Sequence, residues 1–167
     1  MDDSERSRTV TWQDPVVTGK AARTMSGAAF LRAIAERKLP PPPIANLMGF
    51  DIVEVSEGEV VFAVQPQEFH YNPIGMVHGG LAATLLDSAM GCAVQSTLDP
   101  GVGYTTLDLN VTFLRPMTSD TGKVLCEATT IHIGGRVATA EGRVFSARTG
   151  KLIATGTCSC VILREAA

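Results

Sequence analysis

The chain contains 167 residues, of which 45% are apolar, and it carries a formal net charge of −3 at pH 7. This length suits a single hydrophobic core, and the apolar fraction excludes an intrinsically disordered chain. The slightly acidic balance gives no electrostatic basis for binding nucleic acid, so we expect no nucleic-acid partner.

The first 42 residues predict an N-terminal arm with one short helix and a proline-rich linker. The arm begins with a polar stretch that lacks the apolar core of a secretory signal, so the sequence predicts a cytoplasmic protein. Ser26 is a suitable N-cap for a helix with one apolar face, and the prolines at 40–43 end that helix and impose an extended chain. We predict that the folded domain spans residues 43–167.

Two strands and a long helix are predicted next. β-branched and aromatic residues fill positions 50–55 and 59–64 on either side of a turn, which predicts a hairpin. Residues 80–97 predict a helix with almost no polar side, as expected for a helix that is surrounded by protein. A carboxylate near its middle and the absence of basic flanks argue against a membrane span, so we expect no membrane partner.

The second half of the chain predicts four further strands. They fall at about 103–115, 122–133, 135–147 and 151–163, with glycine or proline at the breaks. Short turns between the last three make them antiparallel neighbours. The predicted fold class is therefore α+β, with a long central helix wrapped by a curved antiparallel sheet of five or six strands.

The entrance of the long helix carries the triplet His78-Gly79-Gly80. Glycine has no Cβ, so another molecule can approach its backbone closely. The N–H groups in the first turn of a helix lack intrahelical partners and lie at the positive end of the helix dipole. Such groups suit a carbonyl oxygen that gains negative charge, although the same triplet also suits a tight joint between a loop and a helix.

Asp87 places a carboxylate two turns into the same apolar helix. Burying a carboxylate is costly unless it is paired or functional, so Asp87 either accepts a hydrogen bond from a neighbouring strand or acts as a general base or nucleophile. Gly79 and Asp87 are eight residues apart, which is about 12 Å at 1.5 Å per residue. One carbonyl group can hardly contact both in the same chain. We therefore expect a site at the interface of a two-fold dimer, with Gly79 from one subunit and Asp87 from the other.

The combination of these motifs resembles the acyl-CoA thioesterases of the PaaI (phenylacetate-pathway) type, which have the hotdog fold. The resemblance is carried by Asn72-Pro-x-Gly-x-x-His78-Gly79-Gly80, by Asp87, and by the strand Tyr104-Thr-Thr-Leu-Asp-Leu-Asn-Val-Thr-Phe-Leu-Arg-Pro116. It extends from about residue 43 to residue 163. It implies an acyl-CoA substrate, homodimers that often pair into tetramers, and hydrolysis without a metal or a cofactor.

The resemblance also implies roles for five residues. The backbone N–H of Gly79 would polarise the thioester carbonyl, and Asp87 would be the base or the nucleophile. Asn72 and His78 would orient the substrate or the water, and Thr106 would assist the water, although its neighbour Thr105 makes this assignment the least secure.

Four further residues are predicted to contact the substrate. Gly80 is the last residue of the motif and Tyr71 directly precedes it, and Tyr71 either contacts the acyl group or only packs against the loop. Coenzyme A carries a pyrophosphate and a 3′-phosphate, so cations are expected near the mouth of the site. Arg115 and Arg136 are the candidates for that contact, by position alone.

No metal site is predicted. Cys92, Cys126, Cys158 and Cys160 do not have the spacing of a zinc pair, and we expect them to be small buried side chains in a reducing cytosol. The remaining histidines, His70 and His132, have no spacing that indicates a ligand set, and we expect both to be structural.

Two other functions remain open at this stage. A related hydratase or dehydratase would use a histidine and a carboxylate to move protons on an enoyl-CoA. A non-catalytic acyl-CoA sensor would bind in the same cradle, but it would gain nothing from a buried Asp87.

Overall fold

The computed structural model describes residues 4–164, which form four α-helices and six strands. The helices are α1 (Pro15–Ala22), α2 (Gly27–Ala35), α3 (Pro43–Met48) and α4 (Gly79–Ser96). The strands are β1 (Phe50–Ser56), β2 (Glu59–Val64), β3 (Gly103–Phe113), β4 (Val124–Ile133), β5 (Val137–Ser146) and β6 (Leu152–Leu163). The predicted long helix and all the predicted strands are present, which confirms the α+β class.

The six described strands form one antiparallel sheet in the order β1-β2-β4-β5-β6-β3. Helix α4 packs against this sheet, and Leu86 and Met90 on the helix are fully buried. Two glycines on the sheet allow the close approach. A Cβ on Gly142 of β5 would lie 2.9 Å from Leu86, and a Cβ on Gly156 of β6 would lie 3.2 Å from Leu86. The lack of side chains at these two positions therefore sets the depth at which α4 sits.

Helix α4 is not enclosed on all sides within one chain. A half-buried stripe runs along it, whereas the other residues between 81 and 96 are buried; the stripe is formed by Ala83, Thr84, Asp87, Ser88, Cys92 and Gln95. The sequence did not reveal this stripe, because small residues such as alanine and serine are equally compatible with a buried face and with a face that awaits a partner.

The N-terminal segment contributes to the same core as the sheet. Leu31 of α2 is only 2% exposed and belongs to the main hydrophobic cluster. The backbone N–H of Gly27 donates to the carbonyl oxygen of Leu98 at 2.9 Å, which ties the start of α2 to the end of α4. The predicted cap is present, since Ser26 Oγ accepts from the N–H of Ala29 at 3.4 Å. The placement of a domain boundary at residue 43 stays a prediction.

Candidate active site

Helix α4 begins with a histidine cap that leaves one N–H group available. The backbone N–H of Gly80 donates to Nδ1 of His78 at 2.8 Å, so the side chain of His78 satisfies one of the free donors of the first turn. The N–H of Gly79 has no hydrogen-bond partner among the described residues. This N–H lies at the positive end of an 18-residue helix, where it can stabilise an oxygen that becomes negative.

Asn72 holds the loop that leads into this helix. Its side-chain oxygen Oδ1 accepts from the N–H groups of Ile74 at 3.1 Å and Met76 at 3.2 Å. Its backbone N–H donates to the carbonyl oxygen of Met76 at 2.7 Å. The amide nitrogen Nδ2 has no partner among the described residues and is left as a donor for a ligand.

Asp87 faces a threonine of the neighbouring strand. Thr106 Oγ1 of β3 donates to Asp87 Oδ1 at 2.9 Å, whereas Thr105 is exposed and points away from this contact. Strand β3 has an irregular register directly after Thr106, a kind of bulge that often occurs beside active sites. The structure thus brings together Asp87 and Thr106, the pair that the sequence analysis preferred, while their catalytic roles stay predictions.

One hydrogen bond leaves most of the acceptor capacity of the Asp87 carboxylate unused, since a carboxylate can accept about four. Among the described residues, every side-chain nitrogen or oxygen that is fully inaccessible has a hydrogen-bond partner. The second oxygen, Oδ2, has none, so it must be accessible. A water molecule can therefore reach it.

The two halves of the predicted site open into separate depressions. The first, which we call the Gly79 cleft, has a volume of about 320 Å³ and includes Asn72, Gly79, Phe113 and Arg115. The second, the Asp87 cavity, has a volume of about 290 Å³ and is lined by Asp87 together with residues from α2, α3, β1, β2 and β3. This separation agrees with the helix-length argument that one chain cannot present both groups to one carbonyl.

The two predicted phosphate-binding arginines lie at opposite ends of the sheet. Arg115 follows β3 in the Gly79 cleft, and its Nη1 donates to the carbonyl oxygen of Leu152 at 2.6 Å. Arg136 lies in the turn between β4 and β5, where its carbonyl oxygen accepts from Ile162 near the start of β3. The eleven residues of β3 separate the two ends by about 33 Å at 3.3 Å per residue. Within one chain, these arginines cannot contact the same coenzyme A.

The two other predicted contacts have different surroundings. A Cβ on Gly80 would lie 2.8 Å from Nδ1 of His78, so this glycine is required for the capping geometry. The hydroxyl of Tyr71 accepts from the N–H of Ser119 at 2.8 Å and lies 3.0 Å from its Oγ. Tyr71 lines neither depression, and its observed contact is the packing alternative.

Sequence reasoning missed the polar side chains near Asp87 in its cavity. Ser88 and Cys92 lie on the same stripe of α4 as Asp87, and Tyr104 lies on β3 two residues before Thr106. The strand period of two places the side chains of Tyr104 and Thr106 on the same face, which is a signal that could have found Tyr104. Burial, followed by the nearby Asp87 carboxylate, raises the pKa of Cys92 to about 12, so this thiol stays protonated at neutral pH.

The cysteines and histidines outside the site have structural environments. In the described part of the chain all four cysteines are free, and all except the partly exposed Cys92 are buried. No group of three or more metal-binding side chains converges within residues 4–164. His70 is buried and bonds to the backbone of Gln67 and Met48, as expected for a structural residue.

Within residues 4–164, no helix has both the length and the hydropathy needed to cross a membrane.

The chain is similar to known thioesterases over much of its length. The profile of the Thioesterase superfamily matches residues 74–153. A candidate esterase of Halobacterium salinarum is 36% identical over 103 residues, which are 59% of this chain and 66% of that protein. Human acyl-coenzyme A thioesterase 13 is 32% identical over 106 residues, which are 63% of this chain and 74% of that protein. The crystal structure of a phenylacetic acid degradation-related protein of Ralstonia eutropha superposes with a TM-score of 0.70 at 29% identity, covering 78% of this chain and 98% of the other.

These likenesses, together with a long helix packed on an antiparallel sheet, define a hotdog-fold protein. The chain belongs to the thioesterase superfamily, and it is a thioester hydrolase. The resemblance drawn from the motifs between Asn72 and Pro116 is thereby confirmed at the level of the family.

Proposed function

We propose that the protein hydrolyses acyl-CoA thioesters in a composite site, with Gly79 from one subunit and Asp87 and Thr106 from its partner. The observation that carries the proposal is the separation of the Gly79 cleft from the Asp87 cavity. Each depression holds one half of the required chemistry, an oxyanion donor or an accessible carboxylate. A two-fold dimer has two copies of each half and can assemble two complete sites.

The exposed edge of β3 supports this dimer. Strand β3 is the last strand of the sheet and presents an unpaired edge of eleven residues, with Leu107 59% and Phe113 57% exposed. A long apolar edge strand is an aggregation hazard unless something covers it. Pairing with β3 of a second copy would cover the edge, and the half-buried stripe of α4 would face the partner beside it.

An antiparallel β3–β3 pairing also has the required geometry. In such a pair, the Phe113 end of one strand lies near the Gly103 end of the other. Gly79 lies beside Phe113, since a Cβ on Gly79 would lie 3.1 Å from its ring. Asp87 lies beside Thr106, from which it accepts a hydrogen bond. A two-fold axis between residues 109 and 110 would place Phe113 of one subunit opposite Thr106 of the other. Arg136 of one subunit would then lie towards Arg115 of the other, near one coenzyme A.

The proposed reaction is a base-assisted attack of water on the thioester. Asp87 Oδ2 accepts a proton as the water oxygen bonds to the carbonyl carbon, while Thr106 holds Oδ1 in place. The carbonyl oxygen gains negative charge and is stabilised by the N–H of Gly79, with Nε2 of His78 and Nδ2 of Asn72 nearby as donors. The C–S bond then breaks, and the departing sulfur of coenzyme A takes up the proton. Direct attack by Asp87 would instead expel the coenzyme A thiolate and form an anhydride, and water attacking the Asp87 carbonyl of that anhydride would leave its oxygen in Asp87. Hydrolysis in H₂¹⁸O under single-turnover conditions tests this route, because ¹⁸O in Asp87 would identify it.

The decisive test measures the release of free coenzyme A from a panel of acyl-CoAs with a thiol reagent. We expect Asp87→Asn to lower kcat/KM by at least about 10²-fold, the usual contribution of a general base. Asp99→Asn removes an exposed carboxylate in the loop after α4 and serves as the matched control, with activity close to wild type. Thiol release that does not depend on Asp87 contradicts the proposed site.

The same assay separates the remaining alternatives. Addition of water to an enoyl-CoA without thiol release would identify a hydratase, and tight binding without either product would identify a sensor. Measurement of the mass in solution tests whether the protein is a dimer or a tetramer. An active monomer would exclude a shared site. The cytoplasmic location and the absence of a cofactor stay predictions.

A further inference from the structure

The Asp87 cavity extends beyond the reacting group into an apolar space between α2, β1 and α4. Its walls include Phe30, Ile34, Ile44, Phe50 and Phe62. All of these residues precede position 74, where the match to the superfamily profile begins. The profile match therefore does not specify the residues of this wall.

The cavity also contains polar groups that no protein atom satisfies. Tyr104 and Ser88 line it, and neither hydroxyl has a hydrogen-bond partner among the described residues. No fully inaccessible side-chain oxygen in the same residues lacks a partner. Both hydroxyls must therefore retain some accessible surface, and the cavity that they line is the space available to them.

The position of the Tyr104 hydroxyl depends on a glycine of α4. A Cβ on Gly91 would lie 2.4 Å from Tyr104 Oη and 2.8 Å from a ring carbon. Only a residue without a side chain at position 91 allows the phenol to lie against the helix backbone. Tyr104 is thereby directed to a point one helical turn beyond Asp87, which is about 6 Å along the helix.

We propose that this cavity binds the acyl group of the substrate and that the Tyr104 hydroxyl recognises an oxygen on it, so that acyl-CoAs carrying a hydroxyl or carbonyl group at that depth are preferred. The inference rests on the proposed hydrolysis at Asp87 and adds the chemical class of the acyl group. An extended chain advances about 1.2 Å per bond, so 6 Å corresponds to about five bonds between the thioester carbon and the carbon that carries this oxygen.

The size of the cavity and the charge state of Tyr104 agree with an oxygen-bearing acyl group. A cavity of about 150 Å³ takes up benzene, and the Asp87 cavity is about twice as large at 290 Å³. It therefore suits an acyl group of moderate length. Burial is the largest cause that raises the pKa of Tyr104 well above its usual value, and the neighbouring thiols and Asp87 raise it further. The phenol is therefore neutral at physiological pH. A neutral phenol can donate to a carbonyl and can also accept from a hydroxyl.

The test compares two substrates that differ in one oxygen, hexanoyl-CoA and 6-hydroxyhexanoyl-CoA. We expect the wild-type protein to prefer the hydroxylated substrate by about tenfold or more in kcat/KM, because the unsubstituted chain leaves the Tyr104 hydroxyl unpaired. Tyr104→Phe should abolish this preference, because neither substrate then has a phenol hydroxyl to pair with. Ser159→Ala removes a half-buried hydroxyl of β6 that does not line the cavity, and it should retain the preference.

Two results would overturn the inference. The first is the absence of a preference in the wild-type protein. The second is a preference that survives in Tyr104→Phe, with thermal unfolding used to verify that the variant is folded. Either result leaves the proposed function intact as long as hydrolysis of both substrates still depends on Asp87. Loss of that dependence would refute the proposed function instead.

Discussion

Among single residues, the histidines show how one side-chain type serves different ends in this fold. His78 is exposed and uses Nδ1 to accept from Gly80, so its neutral ring carries the proton on Nε2. His70 is 8% exposed and uses both ring nitrogens inside the protein. Its Nδ1 accepts from the N–H of Gln67 at 3.0 Å, and its Nε2 lies 2.9 Å from the carbonyl oxygen of Met48. A protonated ring cannot accept at Nδ1, so these contacts require neutral His70.

The stability of the protein should therefore fall in mild acid because of His70. Burial, as the largest cause, lowers the pKa of His70, while the unfolded chain binds a proton near the usual value of about 6.5. The stabilising contribution of His70 is complete above that value and is lost as the pH falls through the lowered pKa. We expect the Tm of the wild-type protein to decrease between pH 7.5 and pH 5.5, and His70→Gln to reduce this pH dependence.

His132→Gln is the matched control for that measurement, since His132 is exposed on β4 and its ring has no partner among the described residues. It should retain the wild-type pH dependence. An equal pH dependence in His70→Gln and in the wild-type protein would show that other groups dominate the acid response.

At the scale of the secondary-structure elements, the packing of α2 on the end of α4 holds the wall of the Asp87 cavity in place. A Cβ on Gly27 would lie 1.6 Å from the carbonyl oxygen of Gln95, a distance that no packing adjustment of side chains can relieve. Gly27→Ala should displace α2 and lower the free energy of unfolding by about 1–3 kcal/mol, as in other overpacked sites. Urea unfolding measures this change.

Gly19→Ala provides the control within the same N-terminal segment. Gly19 lies in α1 with no atom within 4 Å of its ideal Cβ position. Alanine is the better helix former, so this variant should gain about 0.5–1 kcal/mol. If Gly27→Ala is as stable as the wild-type protein, α2 does not pack against α4 as described.

The sequence predicted some elements well because their signal is local. The hairpin of β1 and β2 follows from β-branched residues and a glycine turn, and α4 follows from a long apolar run. Helix α1 was missed because it lacks an apolar face, and it starts because Asp14 accepts from the N–H of Val16 before a proline at the first position. Helix α3 was missed because the prolines were interpreted only as an extended linker, although Pro43 is compatible with the first turn of a helix.

The candidate site was likewise predictable only where its signal is local in the sequence. The motif located the start of α4 at Gly79 and the contact between Asp87 and Thr106, because these positions depend on spacing within α4 and on one strand. The apolar wall of the Asp87 cavity was not predictable, since Phe30 and Ile44 line this cavity only through the packing of α2 and α3. The contact between Tyr104 and Gly91 likewise joins a strand to a helix face, and no residue spacing in the sequence encodes that contact.

For the whole molecule, the central question is whether the two halves of a site come from one chain or from two. Gly79→Pro removes the proposed oxyanion donor with little disturbance of the helix. Proline is favoured at the first position of a helix, and His78 before it already has the extended backbone (φ −60°, ψ 135°) that a residue preceding proline prefers. The Phe113 ring, 3.1 Å from the ideal Cβ, has to move by a few tenths of an ångström. Asp87→Asn removes the proposed base.

Heterodimers with a different tag on each subunit separate the two arrangements. In a shared site, a Gly79→Pro subunit paired with an Asp87→Asn subunit contains one site with both groups intact, so it should have about half of the wild-type activity, since a two-fold dimer has two equivalent sites. A wild-type subunit paired with a subunit carrying both substitutions contains no intact site and should be inactive. If each chain contained its own complete site, the two results would be exchanged, because only the second heterodimer would then retain one intact chain. The pair of heterodimers has the same total composition of substitutions, so the difference in their hydrolysis rates reports only on which subunits share a site.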